Sequence, residues 1–325
     1  MENDLMNGSE SLEAVKPRYL MTRKTKRLIF YICMIALFVI ETAVFYIYVN
    51  ASSFVLAFQK YSNALSGYEA HFAGLENFKK VIQVLQEPTN AGMIELSLIM
   101  YAFSVCFSMT TSLFLSYYIY KKMIFAGFFR TILFVPTVVS AVVMVCIYKY
   151  AVNDIYMIIF NKDTGLLKGD ATTMMFTVIG YMLWMGYGTD ILLYTGAMSG
   201  INDSVVEASQ LDGCNAIQEF WYITLPSIFP TLVTFIVSGL AGVFTNQLQL
   251  YTFFGNRSQI QCVGYFMYVN NLLSPGLVPR AGSELVGGYL TYTELSAMGL
   301  MVTGVTLPVV LTVRYLLNRF GPRVD

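Results

Sequence analysis

The sequence predicts an all-α membrane protein with six transmembrane helices, and three observations support this fold class. Of the 325 residues, 56% are hydrophobic and 12% are charged, whereas a typical soluble domain has about 25% charged residues. Six windows are apolar over the roughly 20 residues that a helix needs to cross a bilayer. These windows are too continuous for the alternating strands of a transmembrane barrel, and a helix satisfies its own backbone groups in lipid.

The predicted spans divide the chain into a short tail and one transmembrane domain. The tail covers residues 1–27, the transmembrane domain covers residues 28–325, and residues 200–226 form a loop between the fourth and fifth spans. The first window is too long for a signal peptide, and no small-residue cleavage site follows it. The spans are expected at 28–49, 93–120, 128–150, 173–199, 227–250 and 293–317.

The distribution of lysine and arginine predicts the orientation of the spans. Residues 1–27 contain six of these cations, residues 121–130 contain three, and residues 314–325 contain three. The positive-inside rule therefore places both termini, and with them the 200–226 loop, in the cytoplasm. On the outer side we expect an amphipathic surface segment within 50–92, a polar turn at 151–172 and a loop at 251–292.

The residues of catalytic and metal sites are largely missing. His71 is the only histidine, and the five cysteines are scattered singly, so neither a zinc site nor a disulfide framework is predicted. No metalloprotease, serine-hydrolase or Walker A motif is present. The zero net charge argues against a nucleic-acid partner. We therefore expect no enzyme activity, no catalytic residue, no metal and no cofactor on this chain.

Four charged residues fall within or near the predicted spans: Glu41, Glu95, Lys149 and Asp190. Charges at such depth can mark an ion pathway. A carboxylate that is protonated, or paired with a neighbouring helix, is the favoured interpretation here, because a proton-driven carrier usually has more buried carboxylates.

The loop between the fourth and fifth spans has the pattern of a helical hairpin. Ser204 is predicted to cap a first helix, with Glu207 completing a capping box, and Gly213 is a natural left-handed stop. Asn215 and Gln218 give a second, weaker capping signal for a helix with Ile217, Phe220, Trp221 and Ile223 on its apolar side. Pro226 and Pro230 are expected to end that helix. A surface hairpin and a docking element for a soluble partner both fit this pattern.

The same loop resembles the EAA motif of the membrane subunits of binding-protein-dependent ABC importers. That motif reads EAA, three residues, Gly, nine residues, Ile-x-Leu-Pro. Both spacings are matched, and Asp212 precedes the glycine; only Ser209 departs from the pattern. The matching residues are Glu207-Ala208-Ser209, Gly213 and Ile223-Thr224-Leu225-Pro226.

Further segments are similar to sugar-importer permeases of the maltose and glycerol-phosphate type, in particular to the first of two paired permease chains. They are FAGLENF (72–78), GFFRTILFVPTVVSAVV (127–143), WMGYGTDILLYTGAMSGI (184–201) and FTNQLQLY (244–251). The resemblance implies a multi-pass protein of the bacterial cytoplasmic membrane. Its implied partners are a second permease, an ATPase dimer that binds ATP and Mg²⁺, an extracellular solute-binding protein and a sugar.

The resemblance also assigns roles to particular residues. In the family, the EAA loop is a coupling helix seated in a cleft of the ATPase. The residues implied in this coupling are Glu207, Ala208, Ser209, Asp212, Gly213, Phe220, Leu225 and Pro226.

The sugar site of maltose-type permeases lies on the fourth and fifth spans. The positions carried over are Met182, Gly186, Thr189, Gly239, Gly242, Val243 and Asn246. Val243 replaces an expected polar side chain, which counts against a maltose-like specificity. Sugar sites often combine an aromatic platform with a few amides, which Trp184, Tyr187, Gln247 and Gln249 could supply here.

A second hypothesis assumes the same transmembrane spans but a different function. The chain could be a stand-alone secondary carrier or channel for a small polar solute, with an inner loop that only caps two helices. ATP-independent flux through the purified chain alone would favour this alternative.

Overall fold

The computed structural model describes residues 22–64, 67–88, 90–274, 276 and 290–322. Most of the predicted 1–27 tail and of the glycine- and proline-containing segment 272–288 lies outside these residues. Among the residues described, two strands are present, β1 (Gln59–Ala64) and β2 (Gly67–Phe72). The helices are α1 (Arg23–Ala57), α2 (Glu76–Gln86), α3 (Met93–Tyr120), α4 (Ala126–Val138), α5 (Ala141–Phe160), α6 (Ala171–Met198), α7 (Asp203–Leu211), α8 (Ala216–Ser227), α9 (Phe229–Gly242), α10 (Leu250–Phe254), α11 (Val263–Leu273) and α12 (Tyr292–Phe320).

The described residues are mostly helical and contain five helices long and apolar enough to cross a membrane: α1, α3, α5, α6 and α12. α8 and α9 would make a sixth span if they are taken as one helix bent by 66°. Four helices contain a π-helical stretch: α1 at Thr42–Tyr48, α3 at Ser104–Met109, α5 at Ala151–Ile155 and α8 at Phe220–Thr224.

Two predicted spans are not single straight helices. The window 128–150 is divided, because α4 ends at Val138 and α5 begins at Ala141 after two residues with extended ψ angles. Pro136 lies in the last turns of α4, where it removes a backbone donor. The window 227–250 is also interrupted, because α9 ends at Gly242 and a turn follows.

Of the described residues, 22–53 fall in a unit of their own and belong to α1 and its N-cap. No side chain of Arg23–Glu41 is buried. Large apolar side chains such as Leu37 and Phe38 are more than 60% exposed. Lipid is the solvent that such a surface requires.

The second unit, residues 54–325, includes a β-hairpin that the all-α prediction missed. β1 pairs antiparallel with β2, in a register that places Gln59 opposite Phe72. The segment is polar and has few large aliphatic side chains, so hairpin hydrogen bonds satisfy its backbone better than a surface helix would. Asn77 of α2 secures it by donating from Nδ2 to the carbonyl oxygens of Ala57 at 2.8 Å and Gln59 at 2.9 Å. The predicted amphipathic helix is therefore limited to α2.

Two further loop predictions need correction. Residues 151–160 continue α5, so the polar turn predicted at 151–172 is confined to the residues after Phe160, with a 3-10 turn at Leu166–Lys168. The predicted loop at 251–292 contains α11 and most of α10. Apolar residues such as Phe253 and Val263 lie within this region and are buried, which explains why it folds against the spans.

Three clusters of buried side chains form the core of the second unit. The first joins α3, α5, α6, α10 and α11 and includes Val145, Tyr181 and Phe253. The second lies where α2 packs against the N-terminal part of α12, and it includes Val81 and Met298. The third joins the loop after α6 to α3 and α9, and comprises Leu113, Tyr194, Met198, Phe220, Ile228 and Leu232. The third cluster fixes the position of the EAA-like loop.

Candidate functional site

The first helix of the EAA-like loop, α7, begins two positions earlier than predicted. Asn202 is its N-cap, and the Asn202 side chain accepts a hydrogen bond from the Ser204 backbone N–H at 3.1 Å. The predicted Ser204–Glu207 capping box is therefore wrong. Asparagine is as good a cap as serine, and capping by Asn202 leaves the exposed Glu207 side chain without a capping role.

The turn after α7 requires the glycine at position 213. Gly213 has φ +83°, a left-handed conformation that costs other residues about 1–2 kcal/mol. A Cβ at this position would meet no atom within 4 Å, so the backbone angle and not crowding selects glycine. The Cys214 N–H donates to the Ser209 carbonyl at 3.0 Å and closes the helix end, as predicted.

The second helix of the loop, α8, begins with a complete capping box. Asn215 Oδ1 accepts from the Gln218 N–H, and Gln218 Oε1 accepts from the Asn215 N–H, both at 2.9 Å. This helix ends at Ser227, between the two prolines, as expected. α8 runs through Pro226, Pro230 lies in the first turn of α9, and the 66° bend falls at Ile228. A proline in a first turn lacks only a donor that would be unpaired there anyway.

The EAA-like residues divide between a water-facing and a packed group. Glu207, Ala208, Asp212 and Gly213 are exposed, Leu225 and Pro226 are half-buried, and Ser209 and Phe220 are buried. The Ser209 hydroxyl donates to the Val206 carbonyl at 2.7 Å. The Phe220 ring lies 5.2 Å from that of Phe114 and 5.0 Å from that of Tyr117. Phe220 therefore attaches the loop to α3.

The tip of the loop exposes large apolar side chains. Leu211 is 89% exposed, Ile217 70%, Tyr222 77% and Trp221 53%. Phe220 and Trp221, predicted on one apolar side, thus differ: the first packs inward and the second points outward. Clustered exposed apolar residues are typical of interaction sites.

A buried ion pair joins the loop to the end of α3, and sequence reasoning missed it. Lys121 Nζ lies 2.5 Å from Glu219 Oε1, and the side chains are 21% and 3% exposed. From the sequence, Lys121 serves only as one of the cations that predict the orientation of the spans. Glu219 precedes Phe220 in the sequence. The sequence alone does not show that the Glu219 side chain points toward α3, because this depends on tertiary packing.

The predicted pathway residues on α6 occupy different surroundings. The Trp184 ring lies 6.2 Å from that of Tyr148 and packs, like Met182, against the first core cluster. A Cβ on Gly186 would lie 3.5 Å from Ser108 Oγ of α3. Tyr187 is half-buried, and Thr189 is exposed.

Of the predicted pathway residues on α9, Gly239 faces α3 and Gly242 does not. A Cβ on Gly239 would lie 3.1 Å from Tyr101 Cε2, and the Tyr101 hydroxyl donates to the Ile236 carbonyl at 2.9 Å. Gly242 has open space, and Val243 is buried. Gly186 and Gly239 therefore contact α3 about two turns apart.

The turn after α9, residues 243–249, has an unusual backbone. Leu248 and Gln249 have φ angles of +55° and +57°, a conformation that costs non-glycine residues about 1–3 kcal/mol each. Asn246 Oδ1 accepts from the Leu248 N–H at 2.9 Å, and Gln249 Oε1 accepts from Thr252 Oγ1 at 3.1 Å. Gln247 Oε1 is buried with no hydrogen-bond partner among the described residues. Asn246 and Gln249 thus support the turn through their side-chain oxygens.

Two glycines, neither of them predicted, fix the packing around these residues. A Cβ on Gly188 of α6 would clash with Thr137 and lie 2.7 Å from the Leu133 carbonyl oxygen of α4. A Cβ on Gly264 of α11 would clash with the Asn246 carbonyl oxygen. A glycine inside an apolar span is a general signal for close helix approach, although the sequence does not identify the neighbour.

Charged residues of the spans show two kinds of environment. Lys149 Nζ donates to the Phe253 carbonyl at 2.9 Å, and Asp190 Oδ2 accepts from Ser112 Oγ at 3.5 Å. Glu41 and Glu95 are exposed. Among the described residues, no three His, Cys, Asp or Glu side chains are grouped as metal ligands.

Residues 110–325 match the family described as the binding-protein-dependent transport system inner membrane component. The match covers more than half of the chain, so the protein belongs to this family of permease subunits. It is accordingly a multi-pass protein of the bacterial cytoplasmic membrane and a component of a binding-protein-dependent transport system.

Curated relatives and solved structures are similar over much of the chain. The probable ABC transporter permease protein YurN of Bacillus subtilis (strain 168) is 26% identical over 62% of this chain and 72% of its own length. The arabinooligosaccharides transport system permease protein AraP of the same organism is 26% identical over 70% and 74%. A crystal structure of a bacterial ABC transporter involved in the import of the acidic polysaccharide alginate contains a chain with TM-score 0.69 and 19% identity, covering 91% of this chain and 98% of that one.

Proposed function

We propose that this chain is a transmembrane subunit of an ATP-driven ABC importer that translocates a sugar or oligosaccharide delivered by an extracellular binding protein. Family membership supports the importer class. AraP is named for arabinooligosaccharide transport, and the structural neighbour is a transporter of alginate. A second similar structure is of a bacterial alginate ABC transporter in complex with an alginate pentasaccharide-bound periplasmic protein, which supports an oligosaccharide and a binding protein as partners here.

In this proposal, α8 and α9 form the fifth of six spans, and both termini are cytoplasmic. The cations of residues 22–27 and 121–130 support this orientation through the positive-inside rule. The chain contributes no ATPase site. ATP and Mg²⁺ are bound by a partner ATPase dimer, and a second permease completes the pathway.

The loop at 200–226 is the proposed coupling element. One observation carries this assignment: beside the exposed Glu207 and Asp212, the two capped helices present the exposed apolar residues Leu211, Ile217 and Trp221. A cytoplasmic loop gains by burying such residues in a partner's cleft. Glu207 would meet a basic group of the ATPase, and Gly213 would set the angle between α7 and α8.

The proposed substrate pathway runs along α6, α9 and the 243–249 turn. Irregular backbone at membrane depth is tolerated where it lines a cavity or is buried in protein, and transporters build substrate sites from interrupted helices. Gln247 belongs to this turn and brings an amide side chain to the proposed lining. Trp184 and Tyr187 supply aromatic surface, and Gly186, Thr189, Gly239, Gly242, Asn246 and Gln249 complete the proposed lining.

Reconstitution into liposomes tests this function. The chain assembled with its second permease, ATPase and binding protein should take up labelled oligosaccharide only with ATP, and the chain alone should show neither uptake nor ATP hydrolysis. ATP-independent flux through the chain alone would contradict the proposal and favour a stand-alone carrier. Competition by a panel of oligosaccharides for the binding protein would define the sugar.

A further inference from the structure

We propose that the Lys121–Glu219 ion pair makes α7, α8 and the adjoining end of α3 move as one body, so that displacement of the loop by the ATPase is transmitted to α3. This inference rests on the proposed function of the loop. It assigns positioning roles to Lys121 and Glu219, neither of which belongs to the EAA-like pattern.

Contacts around Glu219 connect three helices at one point. Its Oε1 lies 2.5 Å from Lys121 Nζ, at the end of α3. Its Oε2 accepts from Gln210 Nε2 of α7 at 3.5 Å. Nearby, the Tyr117 hydroxyl of α3 donates to the Ala216 carbonyl of α8 at 2.8 Å, between residues 99 positions apart. The two loop helices and α3 therefore share one polar junction.

The charges of this junction restrict movement more than apolar packing would. Lys121 Nζ also lies 5.8 Å from the ring centroids of both Tyr117 and Tyr120, an arrangement that attracts a cation. Glu219 is 3% exposed, so sliding α8 past α3 would separate two largely desolvated charges. Such separation is unfavourable above all for Glu219, because its buried carboxylate would lose its charged partner.

α3 leads from this junction to the proposed pathway. Farther along the same helix, Ser108 lies beside Gly186, and Tyr101 contacts Gly239 and donates to the Ile236 carbonyl at 2.9 Å. A displacement at Lys121 would therefore reach α6 and α9 where the pathway residues lie.

The test uses the complete transporter in proteoliposomes and measures oligosaccharide uptake per ATP hydrolysed. Lys121→Met and Glu219→Gln should each lower this ratio at least about tenfold, because each leaves a buried partner uncompensated. The swap of Lys121→Glu with Glu219→Lys should restore the ratio to within about threefold of wild type, because it retains the attraction. Lys122→Met is the matched control: it removes an exposed lysine from the same turn and should leave the ratio unchanged.

A fourth variant separates transmission from folding. Lys121→Met combined with Glu219→Leu buries no unpaired charge, so the transporter should assemble in wild-type amounts yet still hydrolyse ATP with reduced uptake. A wild-type ratio in this double variant, or in both assembled single variants, would overturn the inference. Failure of the charge swap to raise the ratio would also overturn it. If the wild-type complex itself shows no ATP-dependent uptake, the proposed function fails instead.

Discussion

At the scale of single residues, the start of the EAA-like loop depends on one asparagine. The Asn202 side chain accepts the Ser204 N–H, whereas Ser204 itself lies within the first turn of α7 and is exposed. Because Glu207 does not cap the helix, its exposed carboxylate is free to contact a partner protein. The loop combines this locally stabilised start with a glycine-dependent turn at Gly213.

Replacement of the cap gives a direct prediction. Asn202→Ala should lower the local stability of α7 by about 1 kcal/mol, because one backbone donor loses its acceptor. Ser204→Ala, the matched control, should change it by less than about 0.5 kcal/mol. Hydrogen exchange of the amides of residues 205–211 in the purified complex measures both effects. A larger loss from Ser204→Ala would mean that the predicted Ser204 cap exists after all.

Single residues also show where sequence reasoning reaches its limit. The Asn215–Gln218 box and the left-handed Gly213 could be predicted, because each depends on neighbours within a few positions. Glu219 could not be assigned a partner, because Lys121 approaches it through tertiary packing. Gln247 could be named from the sequence as a candidate amide, but the burial of its amide oxygen could not be predicted, because it depends on tertiary packing.

At the scale of elements, close packing of α4 against α6 depends on Gly188. A Cβ there would press on Thr137 and on the Leu133 carbonyl oxygen at 2.7 Å, which is backbone and cannot rotate away. Gly188→Ala should therefore destabilise the protein by about 1–3 kcal/mol. The change should appear as a lower apparent melting temperature of the purified protein in detergent.

Gly196 provides the control for this element. It lies on the same helix, and a Cβ there meets no atom within 4 Å. Gly196→Ala should be neutral or stabilising by up to about 1 kcal/mol, because alanine favours a helix. Equal melting temperatures for the two variants would contradict the close approach of α4 and α6.

Hydropathy predicted the long elements well and the interruptions poorly. The windows 93–120, 173–199 and 293–317 nearly coincide with α3, α6 and α12, because a helix is the only solution that a continuous apolar run has in lipid. The break between Val138 and Ala141 and the bend at Ile228 occur inside apolar sequence. Packing and the positions of prolines produce this break and this bend without a change in hydropathy. A hydropathy window therefore does not detect them.

At the scale of the whole molecule, the orientation of the spans gives a prediction that depends on one cysteine. Cys214 lies in the loop and is half-buried, Cys262 is buried, and the remaining three cysteines lie in apolar helices. A membrane-impermeant maleimide should therefore label the protein in inside-out vesicles and not in intact cells. Cys214→Ser should abolish the labelling. Labelling of Cys214 in intact cells would place the loop outside and contradict the proposed topology.

The central claim is that the 200–226 loop couples this permease to an ATPase, and one measurement tests it most directly. ATP-dependent oligosaccharide uptake is compared between the wild-type transporter and one carrying Glu207→Ala with Gly213→Pro. Proline cannot adopt the φ of +83° found at Gly213, because its ring holds φ near −65°. The variant should assemble and retain folded spans, yet uptake should be lost. Normal uptake by the assembled variant would contradict the coupling role of the loop.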